Sequence, residues 1–158
     1  METLRWDDVQ DLMDPQLVGA LPDLWVEGTA SADWQVLFDL VEAGRWPWTF
    51  REGDRDVPLL PAADVFRRPP DAESVHLEVE FADGAVAIFR PYEVGSIDFD
   101  VDVRRLQGQE RLDRFSEFLA AVGRALGRSV WMGSEGALDG VPLLGFDVGA
   151  DRMVRVAD

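Results

Sequence analysis

The segment that most restricts the fold begins at Val75. Val75, Leu77, Val79 and Phe81 alternate with His76, Glu78 and Glu80, the period-two pattern of a strand with one buried face. Asp83-Gly84 follows, a dipeptide that favours a two-residue type I′ hairpin, and residues 85–90 form the return strand. A simple two-residue turn sets Phe81 opposite Val86 and Val79 opposite Ile88. Ala85, Ala87 and Phe89 then belong to the other face. A third alternation, Ile97, Phe99, Val101 and Val103 against Asp98, Asp100 and Asp102, completes a three-stranded meander.

Such a sheet needs an apolar cover, and two segments offer one. Trp34, Leu37, Phe38 and Val41 lie at helical spacing, with Ser31 as the expected cap, Asp33 in the first turn and Gly44 as terminator. Leu112, Phe115, Leu119, Val122 and Leu126 form a longer stripe that ends at Gly127. A short helix is expected around Trp6, Val9 and Met13, up to Asp14-Pro15. Val130-Trp131-Met132 reads as a strand, and residues 143–148 and 153–156 as a hairpin around Gly149-Ala150-Asp151. Residues 53–74 carry Pro58, Pro61, Pro69 and Pro70 and read as an irregular connection with one short strand near Val65-Phe66. The expectation is a single α+β domain over residues 1–158. Its antiparallel sheet is the meander plus C-terminal strands, with helices packed on one face.

Charge narrows the function. The 158 residues include 31 acids against 15 bases, all arginine, for a formal charge of −16. That field repels nucleic acid and anionic lipid and draws basic partners. The chain has no cysteine, and therefore no disulfide or thiolate metal site. With no basic-then-apolar leader and no long apolar run, the expected location is the cytoplasm.

Catalytic patterns fail one by one. Asp98-x-Asp100-x-Asp102 begins like a calcium loop, but its sixth position is Val103 and its twelfth Gln109. Glu78-x-Glu80 resembles the acidic half of a nuclease site without the lysine. Ser134 in Gly133-Ser134-Glu135-Gly136 lacks the first glycine of a nucleophile elbow, and the sole histidine, His76, lies upstream of it. No dinucleotide or phosphate-binding glycine motif is present. The reading is a non-catalytic module with no cofactor and no metal site. Its candidate partner-binding residues are Glu78, Glu80, Asp98, Asp100 and Asp102 flanking an apolar strip anchored by Phe89, with Trp46 and Trp48 of Trp46-Pro47-Trp48 as a second aromatic site.

From about Val75 onward the order of elements resembles small bacterial immunity proteins of polymorphic toxin systems. The resemblance is carried by Ile97-Asp98-Phe99-Asp100-Val101, the helix from Arg114 to Arg128, Val130-Trp131-Met132-Gly133-Ser134-Glu135 and Pro142-Leu143-Leu144-Gly145-Phe146-Asp147. It implies a cytoplasmic inhibitor that binds and neutralises a cognate toxin, often a basic nuclease, without catalysis or cofactor. A secretion-chaperone-like or adaptor domain, or a metal-dependent hydrolase, is the alternative. Oligomeric state is left open. The −16 charge should keep the chain off nucleic acid. Titrated with duplex DNA at physiological salt, the protein should show no binding, and micromolar affinity would contradict it.

Overall fold

The computed structural model describes residues 3–136 and 140–156. Nine strands form one open antiparallel sheet: β1 Asp23–Glu27, β2 Trp48–Glu52, β3 Arg55–Asp56, β4 Val75–Ala82, β5 Ala85–Phe89, β6 Ser96–Val101, β7 Val130–Met132, β8 Leu144–Asp147 and β9 Arg152–Arg155. Their spatial order is β3-β2-β4-β5-β6-β1-β7-β8-β9. Five helices accompany it: α1 Trp6–Val9, α2 Pro15–Val18, α3 Ser31–Glu42, α4 Ala62–Phe66 and α5 Gln109–Leu126. The α+β class and the helix-covered sheet are as the sequence indicates. No helix among the described residues is long and apolar enough to cross a membrane.

The meander is present, with one displacement that changes its surface. Ala82 pairs with Ala85 across Asp83-Gly84, but Glu80 pairs with Val86, Val79 with Ala87, Glu78 with Ile88 and Leu77 with Phe89. Phe81 is therefore an extra residue on β4, a β-bulge. Gly84 has φ 76° whereas Asp83 does not have positive φ, so the turn is not the type I′ form, which needs both. Turns outside the primed types splay the strands, and a bulge beside the turn restores right-handed twist. The consequence is a correction. Ala85, Ala87 and Phe89 point into the core and Val86 and Ile88 point outward, the reverse of the simple register.

Packing explains why this register wins. Phe89 is fully buried and stacks on Phe99 at 4.4 Å between centroids. Phe118 of α5 reaches down to Phe81 (4.7 Å, stacked), Phe89 (6.2 Å) and Phe99 (6.4 Å). The short side chains of Ala85 and Ala87 leave room beneath the helix for these rings. Gly123 brings the other end of α5 close to the sheet: a Cβ there would lie 2.2 Å from a Phe146 ring carbon. Gly127, with φ 64°, ends the helix in the left-handed conformation.

Elsewhere the structure adds elements that the sequence reading lacks. β1 sits between β6 and β7 and joins the meander to the C-terminal hairpin. β2 and β3 form a hairpin at the edge of the sheet, and β3 lies within residues 53–74, where an irregular connection is expected. Val65 and Phe66 end α4 instead of forming a strand; Phe66 packs edge-on against Trp34 at 5.8 Å. Ser31 is the first residue of α3 and not its cap; the cap is Ala30, whose N–H donates to Asp33 Oδ2 at 2.9 Å. Val103 begins a 3₁₀ turn beyond β6 and is buried there.

Phe118→Ala removes the ring that touches four other aromatics, so a loss of about 3–5 kcal/mol is expected in urea unfolding. The exposed neighbour change Glu117→Ala should stay within about 0.5 kcal/mol of wild type.

Candidate functional site

The helices cover one face of the sheet, and the other face is built in registered rows. One row runs Thr49, Glu78, Ile88, Asp100, Asp23 across five strands. The next contains Arg51 opposite His76, and Asp98 opposite Trp25, which in turn lies opposite Trp131. Glu80 stands opposite Val86. Glu78, Glu80, Val86, Ile88, Asp98 and Asp100 are all half-buried, as expected for neighbours on an open sheet surface. An apolar strip between acidic rails therefore exists, but Val86 and Ile88 form it.

The expected candidate residues fare differently. Phe89 lies in the core and cannot anchor a partner on this face. Asp102 does not extend the rail. Its Oδ1 accepts the Arg104 N–H at 3.0 Å and caps the 3₁₀ turn, while the Arg104 guanidinium donates to both oxygens at 2.8 and 2.9 Å. This pairing lowers the Asp102 pKa and raises that of Arg104. Trp46 and Trp48 are half-buried and pack against the core, Trp46 edge-on to Phe118 at 5.0 Å and Trp48 opposite Val79. They form no exposed pair.

Neutralisation across the face is uneven. Glu78 receives Arg51 at 3.6 Å and His76 at 3.0 Å, and Arg90 pairs with Asp100. Among the described residues Glu80, Asp98, Asp23 and Glu27 have no cationic partner. The bare charge is thus concentrated on β6 and β1, towards the middle of the sheet. There a hollow of about 500 Å³ is lined by Asp23, Trp25, Glu27, Arg90, Tyr92 and Asp98, among others.

Neutral donors hold the carboxylates of the hollow. Trp25 Nε1 donates to Glu27 Oε1 at 3.1 Å, Ser96 Oγ to Asp98 Oδ1 at 2.9 Å and the Gly136 N–H to Asp23 Oδ2 at 3.0 Å. Sequence reasoning missed Asp23, Trp25 and Glu27. Their signal was the alternation of buried Leu24 and Val26 between Pro22 and Gly28.

The remaining chemical candidates do not converge. His76 on β4 and Ser134 beyond β7 are separated by three strands, roughly 19 Å at sheet spacing. No dyad forms. Among the described residues no group of three His, Asp or Glu side chains is placed to hold a metal ion. No family model, curated protein or solved structure matches this chain.

Arg104 provides a pH prediction. The Asp102 carboxyl should titrate below its ordinary value of 3.8 in a carbon-detected NMR titration, and Arg104→Gln should move it upward. Because the folded value is the depressed one, the pair stabilises the fold above the unfolded pKa, and that contribution disappears as pH falls through the folded pKa. An unchanged midpoint in the variant would contradict the pairing.

Proposed function

We propose that this chain is a non-catalytic binding module of the immunity or inhibitor type, which neutralises a basic protein partner such as a bacterial toxin in the cytoplasm. The observation that carries this reading is the uncovered face of β4, β5, β6 and β1. It presents Glu80, Asp98, Asp23 and Glu27, which have no cationic partner among the described residues, around a strip of Val86 and Ile88. Carboxylates held side by side repel one another, and a basic surface relieves that repulsion while Val86 and Ile88 supply desolvated contact. Asp23 and Asp100 stand directly opposite on paired strands, an arrangement unfavourable in isolation. The −16 field supports fast, salt-sensitive capture of such a partner.

Protection provides the test. The chain is co-expressed with any toxin-like protein that proves to be encoded beside its gene, and growth, complex formation and association rate are measured. Growth should be restored, a complex should co-elute in gel filtration, and the association rate should fall by roughly tenfold or more between low and high salt. Continued arrest with no complex, or the absence of any toxin-like neighbour, would remove the basis for this reading.

A further inference from the structure

We infer that the hollow between β1 and β6 receives an arginine side chain of the partner; this rests on the basic-partner reading and names the contact at its centre. Among the described residues four carboxylates, Asp23, Glu27, Asp98 and Asp100, face one guanidinium, Arg90, in a recess of about 500 Å³. Arg90 is already committed to Asp100. Each of the other three carboxylates uses one oxygen on a neutral donor, and among the described residues its second oxygen has no donor. These groups are oriented and still able to accept.

The shape of the recess selects among cations. A divalent metal needs several oxygens converging on a point, and among the described residues the carboxylates do not converge in that way. An ammonium group is compact and strongly hydrated. A guanidinium spreads five N–H donors over a plane, can reach carboxylates on neighbouring strands and stacks on aromatic faces. The aromatics are present: Trp25 lines the recess with 9% of its surface exposed, and Tyr92 stands at its rim with 71% exposed. Tryptophan is the strongest aromatic partner for such a cation. Asp98 is the cross-strand neighbour of Trp25, and Glu27 is fixed to its indole nitrogen, so charge and ring are held together. A Tyr92 ring this exposed on a chain with one tyrosine is also the kind of side chain that contributes heavily at protein interfaces.

The test uses two defined probes, a nine-residue oligo-arginine peptide and an oligo-lysine peptide of equal length, titrated into the ¹⁵N-labelled protein at physiological salt. The Trp25 indole N–H is the reporter. The arginine peptide should shift it and bind about tenfold more tightly than the lysine peptide. Glu27→Gln and Asp98→Asn, which preserve shape, should each remove most of that preference. Glu80→Gln, on the distant side of the face, should weaken both peptides equally and leave the preference intact. Equal affinity for the two peptides with a silent indole would overturn the arginine site while leaving a basic-partner surface standing. No binding of either peptide would overturn both.

Discussion

The contact on which the rest of the molecule depends is Phe118. Its ring stacks on Phe81 and meets Phe89, Phe99 and Trp46, so one side chain of α5 ties together β4, β5, β6 and the segment that leads into β2. Burying an aromatic of this size and fitting it among four others is worth far more than any single strand pair. The register of β5 follows from it. Phe89 is drawn inward to complete the cluster, Ala85 and Ala87 make room for it, and the bulge at Phe81 absorbs the one-residue offset.

That internal choice determines the outer surface. Because side chains alternate with period two, sending Phe89 inward brings Val86 and Ile88 outward between Glu78 and Glu80 on one side and Asp98 and Asp100 on the other. The ion pairs then divide the face. Arg51 pairs with Glu78 on β4, and Arg90 takes up Asp100. Among the described residues Asp98, together with Asp23 and Glu27 from β1 and Glu80 from β4, has no cationic partner. The core packing and the position of the acidic hollow are thus linked through one bulge.

The sequence revealed the parts of this arrangement that have long, clean periodicity. The strand at 75–82, the eighteen-residue helix α5 and the C-terminal hairpin are legible because buried and exposed residues alternate at a fixed period over many positions. β1 was hidden because five residues carry only two apolar positions, Leu24 and Val26, and its third large residue, Trp25, faces outward. The β2–β3 hairpin was hidden because Arg51, Glu52, Arg55 and Asp56 at the sheet edge look like a charged loop. Of the site, the carboxylates at 78, 80, 98 and 100 were legible from alternation. Phe89 was misplaced because a bulge leaves no local signature beyond the turn itself. Asp102 was misassigned because its capping role depends on the chain turning away after Val101.

If a partner docks on the outer face of β4, β5, β6 and β1, the carboxylates of that face become shielded in the complex. Carboxyl-directed footprinting of the free chain and its complex, read residue by residue in a mass spectrometer, examines that shielding most directly. Glu80, Asp98, Asp23 and Glu27 should lose reactivity in the complex, while Asp113 and Glu117 on α5 remain as reactive as in the free protein. Protection confined to Asp113 and Glu117, with the sheet carboxylates unchanged, would place the interface on the helix and contradict the account.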